Sequence, residues 1–242
     1  MNDKAANLGA LGAIYAGLAE NDVFKRTRIP FRDQMLMRVS AVLGAGHTGI
    51  LYREAVEAAL QGGLDAVTAE DLVIHLASYI GLARAFDAMA VLRMALQARN
   101  DPHDIAASRS GAATLPMAER FERGIALYSQ LDGPRAHAQL AHYSAVSPEY
   151  YQYVMGMFGC TFGRDSLDVR EREIATVAVL GAMGTAGGQL AFHARIALEQ
   201  GAQRDTLAEL LLYVQLYAGL PAANNAAAVV RDALAAREAP AS

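Results

Sequence analysis

The chain has 242 residues, of which 53% are hydrophobic and 19% are charged, and its formal net charge is −4. This length allows one large domain or two small ones, each with a packed core. The single cysteine, Cys160, excludes disulfide frameworks, cysteine-based zinc sites and Cys-x-x-Cys dithiols. Because the net charge is negative and the basic residues are scattered, the sequence predicts no binding to nucleic acid or to an anionic membrane. We therefore expect a small molecule or another protein as the partner.

The sequence predicts a cytoplasmic protein without a membrane span. Residues 1–4 lack the basic and apolar regions of a secretory signal, and a single cysteine fits a reducing compartment. Two uncharged stretches, 174–192 and 210–230, are long enough to cross a bilayer. Both contain Gly, Gln, Pro or Asn residues that are typical of turns between helices. We interpret these stretches as helices of a globular core.

The predicted elements are helices along nearly the whole chain. Apolar residues recur at helical spacing, as in residues 36–43, and no sustained strand alternation is present. Residues 68–71 (TAED) and 168–171 (DVRE) have the pattern of capping boxes, and Pro148 fits the first turn of a helix. Residues 100–114 are rich in turn formers and indicate a linker. The fold class that we predict is all-α.

An internal repeat divides the chain. Residues 13–96 align with residues 151–234 without a gap at an offset of 138 positions, and about a quarter of the pairs are identical. The pattern Tyr-x-Gly-Leu occurs at Tyr79 and again at Tyr217. Shared glycines alone could simply mark the ends of helices, but the equal lengths of the two hairpins favour a duplication.

We therefore predict three segments: a degenerate first module (residues 1–99), a helical linker (residues 100–147) and a second module (residues 148–242) that carries the site. Two residues 138 positions apart are equivalent in this repeat.

A candidate site lies in the second module. Glu173 is expected on a helix that ends near Gly181, and His193 on the helix that follows the glycine-rich turn. In an antiparallel hairpin the two side chains reach similar heights, so they could share a pocket and act as an acid/base pair. The alternative is a hydrogen-bonded core histidine and a glutamate that stabilises a helix N-terminus. In the first module the equivalent residues are Met35 and Ala55, so this pair is absent there.

Several motifs of the second module occur in a fixed order. They are residues 167–174 (LDVREREI), residues 189–193 (QLAFH), the spacing His193-x4-Leu198-x2-Gly201, and residues 217–221 (YAGLP). Together these motifs closely resemble the carboxymuconolactone decarboxylase family, within the alkylhydroperoxidase-like (AhpD-like) superfamily. Over residues 13–96 the resemblance is weak, because the histidine is absent and Ala83 stands where the second module has a proline.

The resemblance implies AhpD-like helical modules that assemble into homo-oligomers, here a trimer of two-module chains. It also implies a decarboxylase that acts on a small carboxylated lactone or related cyclic acid without a metal or organic cofactor. In that reaction His193 would donate a proton and Glu173 would orient it. Arg164, Arg172 or Arg195 could bind the substrate carboxylate, and Tyr217 could line the pocket. Each arginine could equally be a structural salt-bridge partner.

The residues at these positions also bear on other functions. The peroxidase branch of the superfamily uses a Cys-x-x-Cys before the histidine, and here those positions are Ala186 and Gln189. A thiol peroxidase is therefore not expected, and Cys160 is interpreted as a small buried side chain. A lactone isomerase-type proton-transfer enzyme and a non-catalytic helical assembly or ligand-binding module are the alternatives. None of the other histidines, His47, His75, His103, His137 and His142, has a spacing that predicts a metal ligand.

Overall fold

The computed structural model describes residues 8–106, 108 and 111–238, and every regular element in these ranges is helical. The α-helices are α1 (Gly9–Tyr15), α2 (Phe31–Gly44), α3 (Ile50–Gln61), α4 (Ala66–Ile80), α5 (Leu82–Ala98), α6 (Met117–Asp132), α7 (Ala136–Val146), α8 (Pro148–Thr161), α9 (Val169–Met183), α10 (Gly187–Glu199), α11 (Arg204–Ala218) and α12 (Leu220–Glu238). A π-helical segment, Ala16–Val23, continues α1. The predicted all-α class is confirmed. Across the described ranges, no helix combines the length and apolar character needed to span a bilayer.

Local capping explains where the helices of the second module begin. Asp168 accepts a hydrogen bond from the backbone N–H of Glu171, whose side chain accepts one in return, so the predicted capping box of α9 is confirmed. Pro148 occupies the first turn of α8, as expected. The capping box predicted at Thr68 is wrong. The carboxylate of Asp65 accepts from both the N–H and the hydroxyl of Thr68, so α4 begins three residues earlier.

Helices α2 and α9 form the centre of the molecule and pack side by side. Every residue from 33 to 44 on α2 and from 171 to 182 on α9 is buried, as is typical of helices surrounded by other helices. A Cβ atom at Gly44 would overlap the carbonyl oxygen of Val179, so this glycine allows the two backbones to approach closely. The core is therefore shared by the two modules.

The helices of the two modules match in order and length. Shifting the bounds of α4 by 138 residues gives those of α11, and the bounds of α2, α3 and α5 shifted in the same way differ from those of α9, α10 and α12 by two residues at most. Gly63 and Gly81 have positive φ, as do their equivalents Gly201 and Gly219. This agreement supports the duplication, which stays a hypothesis about the origin of the chain.

Ion pairs across the module boundary also occur in equivalent pairs. Each ion pair joins an arginine of one module to a carboxylate of the other. Replacing both residues by their equivalents converts one ion pair into another. The pairs are Arg32–Glu171 with Arg170–Asp33, and Arg26–Glu209 with Arg164–Asp71. The modules are thus related by an approximate two-fold axis, like the subunits of a symmetric dimer.

The helices of the linker are packed against the second module. Helices α6 and α7 both pack against α8. A Cβ atom at Gly124 of α6 would overlap the carbonyl oxygen of Met155, and one at Gly159 of α8 would overlap that of Arg120. These glycines allow close packing of α6 against α8, and this packing places linker side chains beside the second module.

Candidate active site

A cavity of about 530 Å³ lies where the linker, the second module and helix α4 of the first module meet. Its walls combine aromatic rings with a few polar groups, which is typical of small-molecule sites. The lining residues are Ser78, Tyr79, Tyr128, Gln139, Tyr143, Tyr150, Tyr153, Val154, Met155, Met157, Phe158, Gly188, Gln189, Phe192 and His193.

Glu173 and His193 are in direct contact at this cavity. The Nδ1 of His193 lies 2.7 Å from Oε2 of Glu173, whose side chain is fully buried on α9. A buried carboxylate accepts the hydrogen of Nδ1–H, which leaves Nε2 as the nitrogen available for proton transfer. Nε2 makes no hydrogen bond with any residue that the structure describes. The pair therefore has the arrangement that acid/base chemistry requires.

Aromatic rings hold the imidazole of His193 in place. The rings of Tyr79 and Phe192 pack edge-on against it, with centroid distances of 5.5 and 5.0 Å. A second histidine, His75, lies behind Tyr79, and its Nε2–H donates to the carbonyl oxygen of Arg172. Burial, together with the nearby charge of Arg172, holds the pKa of His75 well below 6.5, so His75 stays neutral. The histidine that faces the cavity is His193.

Hydroxyl groups dominate the polar part of the cavity wall. Burial raises the pKa of Tyr79 above its usual value, and the nearby carboxylate of Glu173 raises it further. Burial also raises the pKa of Tyr128. Both phenols therefore remain protonated at neutral pH and can donate hydrogen bonds to a bound oxygen.

Arg164 and Arg172, which the sequence analysis placed near the substrate, do not line the cavity. Both pair with Asp71 of the first module, at 3.0 and 2.7 Å, and the guanidinium of Arg172 also lies over the ring of Phe162. Arg172 is almost fully buried. Asp71 and the neighbouring Glu70 neutralise their charges at the module boundary, so both arginines are held away from the cavity.

Arg195 and Tyr217 also lie outside the cavity wall. Arg195 pairs with Asp132 of the linker and with Glu199 one turn further along α10. The hydroxyl of Tyr217 accepts a hydrogen bond from Arg38 of the first module. The structure thus brings together Glu173 and His193 among the six predicted site residues, and it places the other four in contacts between segments.

The sequence analysis missed the residues that the other segments contribute. The linker supplies Tyr128, Gln139 and Tyr143, and the first module supplies Tyr79. Tyr79 is the equivalent of Tyr217, and the approximate two-fold axis places each of these tyrosines against the opposite module. The repeat could therefore have predicted Tyr79 as a lining residue, on the assumption that the two modules pack face to face.

The positions that distinguish the peroxidase branch carry no thiol. Gln189 lines the cavity, Ala186 precedes α10, and the half-buried Cys160 on α8 is not among the lining residues. Within the described ranges, no group of three or more His, Cys, Asp or Glu side chains is arranged to hold a metal ion.

Comparisons with known proteins found one matching family and two similar proteins. Residues 148–232 match the carboxymuconolactone decarboxylase family. The chain is 29% identical over 110 residues to a 4-carboxymuconolactone decarboxylase of Acinetobacter baylyi, which corresponds to 45% of this chain and 81% of that protein. It is 33% identical over 79 residues to an uncharacterized 15.0 kDa protein of Paracoccus denitrificans, covering 32% of this chain and 59% of that protein. Residues 148–232, which carry Glu173 and His193, are thus similar to the carboxymuconolactone decarboxylase family.

Proposed function

We propose that this chain is a cofactor-independent decarboxylase that acts on a small carboxylated lactone or a related cyclic acid. The observation that carries the proposal is the contact between Glu173 and His193 at the wall of a cavity large enough for such a substrate. The family of residues 148–232, and the name of the Acinetobacter baylyi relative, support the class of reaction.

The reaction needs a proton donor at the carbon that loses the carboxylate. When the carbon–carbon bond breaks and carbon dioxide leaves, the electron pair moves into the adjacent unsaturated carbonyl group. Protonated His193 then gives the proton of Nε2–H to the carbon, and its neutral form keeps Nδ1–H on Glu173. The carboxylate of Glu173 stabilises the imidazolium before transfer and fixes its tautomer afterwards.

The tyrosines suit the charge that develops during this step. A protonated phenol at Tyr79 or Tyr128 can donate to the oxygen that becomes negative when the electron pair is delocalised. The lining residues contain no lysine or arginine. Apart from His193, the donors available to a substrate carboxylate are therefore uncharged, and the carboxylate would lose little stabilisation from them when its charge moves away in the transition state.

The test is turnover of 4-carboxymuconolactone by the purified full chain, measured as release of carbon dioxide and loss of the lactone acid. We expect His193→Ala to lower kcat by about 10²- to 10⁴-fold. The matched control is His137→Ala on the exposed side of α7, which should keep full activity. Circular dichroism would verify the fold of both variants.

Three outcomes would contradict the proposal or change the reaction class. Unchanged turnover in His193→Ala would remove this residue from the chemistry. Rearrangement of the lactone acid without release of carbon dioxide would indicate an isomerase-type proton transfer. Peroxide turnover that is lost in Cys160→Ser would indicate thiol chemistry instead.

A further inference from the structure

A second cavity, of about 200 Å³, lies in the first module between the segment that follows α1 and helices α2 and α3. It is lined by Tyr15, Glu20, Phe24, Arg38, Glu54, Glu57, Ala58 and Gln61. The equivalents of Tyr15, Glu20 and Glu54 are Tyr153, Phe158 and Phe192, and all three line the cavity of the candidate active site. The second cavity therefore overlaps the position in the first module that is equivalent to the candidate active site.

The lining of this cavity differs in chemistry from that of its counterpart. Glu20 and Glu54 stand where the second module has two phenylalanines, and Arg38 stands where it has Thr176. The residues equivalent to Glu173 and His193 are Met35 and Ala55, so no acid/base pair is present here. The exchange of aromatic for charged residues favours a charged ligand, and the loss of the pair favours binding without turnover.

Arg38 is a buried arginine that forms no ion pair within the described part of the chain. Its exposed fraction is 8%, its Nε donates to the hydroxyl of Tyr217, and its guanidinium stacks on the ring of Phe24. Its two Nη atoms have neither a hydrogen bond nor an ion pair with the described residues. The other buried arginine of these ranges, Arg172, pairs with Asp71 at 2.7 Å. Because an uncompensated buried charge is costly, Arg38 is suited to bind an external anion.

The carboxylates around Arg38 limit which anion can bind. Glu57 pairs with Arg53, but Glu20 and Glu54 are half-buried and form no ion pair within the described ranges. These unpaired carboxylates repel a simple anion, whereas they attract an ammonium group carried by the same ligand. The small volume of the cavity restricts the ligand to a few heavy atoms.

We propose that the second cavity binds a small zwitterion, whose carboxylate pairs with Arg38 and whose ammonium group pairs with Glu54 and Glu20. The ligand is a short amino acid in the chemical sense, with one charged end at Arg38 and the other at Glu54 and Glu20. The site binds this ligand and does not transform it.

Calorimetric titration of the full chain tests the proposal. The probes are glycine, β-alanine and 4-aminobutanoate, which differ in the separation of their charged ends. Butanoate and butylamine are matched controls that each carry one charge. We expect one zwitterion of the series to bind saturably, and each control to bind about tenfold or more weakly, because each lacks one charged contact.

Two variants locate the binding. Arg38→Gln and Glu54→Gln should each weaken binding of the same zwitterion about tenfold or more, whereas Glu122→Gln on the exposed side of α6 should not change it. Glu54 is half-exposed, and glutamine has nearly the same shape as glutamate. Glu54→Gln therefore tests the site even if Arg38→Gln does not fold. The proposal is overturned if none of the three zwitterions binds, if butanoate or butylamine binds as tightly, or if Glu54→Gln leaves the affinity unchanged.

Discussion

At the scale of single residues, the contact between Glu173 and His193 makes a direct prediction. Glu173→Gln should lower kcat for the proposed decarboxylation by about 10²- to 10⁴-fold, because an amide neither stabilises the imidazolium nor selects the Nδ1–H tautomer. Steady-state kinetics of the folded variant would measure this effect. A kcat within a factor of two of the parent chain would show that the carboxylate has only a structural role. Glu122→Gln is a suitable control, since Glu122 is an exposed glutamate of α6.

The buried His75 makes a prediction about stability and pH. Its pKa in the folded chain lies well below 6.5, because burial disfavours the charged form. Below about pH 6.5 the unfolded chain binds a proton at this residue that the folded chain does not bind, so the free energy of unfolding falls as the pH is lowered. This contribution is at most about 1.4 kcal/mol per pH unit.

Urea unfolding at pH 5, 6, 7 and 8 would measure this effect. His75→Gln keeps a side-chain donor for the carbonyl oxygen of Arg172 but cannot titrate. Its free energy of unfolding should therefore fall less steeply below pH 6.5 than that of the parent chain. Equal slopes for the two proteins would contradict the neutral state of His75 in the fold.

Residue-level prediction from sequence succeeded where both partners lie on consecutive helices. The distance between Glu173 and His193 follows from the rise of two helices joined by a short turn. Arg164 and Arg172 could not be placed in this way, because their partner Asp71 is about 100 residues away in the sequence and belongs to the other module. Spacing along a chain does not identify which distant carboxylate will neutralise an arginine.

At the scale of elements, the close packing of α6 against α8 makes a prediction about the linker. Gly124→Ala would place a methyl group on the carbonyl oxygen of Met155, so the two helices must separate. We expect a loss of about 1–3 kcal/mol in the free energy of unfolding. We also expect a lower kcat/KM, because Tyr128 on the same helix would move away from the cavity.

Gly111→Ala is the matched control for this experiment. Gly111 lies in the exposed turn before α6, and a Cβ atom there would meet nothing within 4 Å. The role of α6 would be contradicted if Gly124→Ala lost stability without any change in kcat/KM.

Helix boundaries could be predicted from sequence better than helix partners. The capping residues of α8 and α9 are local signals, and both are used as expected. The involvement of the linker in the cavity could not be predicted, because residues 100–147 have no equivalent in the repeat. Their packing depends on Gly124 and Gly159 meeting across two helices, and an isolated glycine in a helical pattern does not reveal its partner.

At the scale of the whole molecule, the approximate two-fold axis makes a prediction about a fragment. Residues 100–242 alone would expose the face of α9 that packs against α2. In a pair of such fragments Arg164 of one copy would face Glu209 of the other, and Arg170 would face Glu171, so the charges across the interface remain complementary. We therefore expect the fragment to form a homodimer.

Light scattering coupled to size exclusion would measure the mass of the fragment. Arg170→Glu in the fragment should shift the equilibrium towards monomers, because it places like charges opposite each other. A folded fragment that stays monomeric at high concentration would contradict the two-fold arrangement of the interface.

The different linings of the two cavities have a consequence for how the chain can change. In a symmetric dimer of identical subunits, a substitution near one pocket is repeated at the other, so both pockets must tolerate it. Here the positions around Arg38 and those around His193 belong to different parts of one polypeptide, and each can be altered alone. A mutational scan should therefore find substitutions at Glu20 and Glu54 that leave the His193 cavity intact, and a protein engineer could redesign one pocket while the other keeps its function.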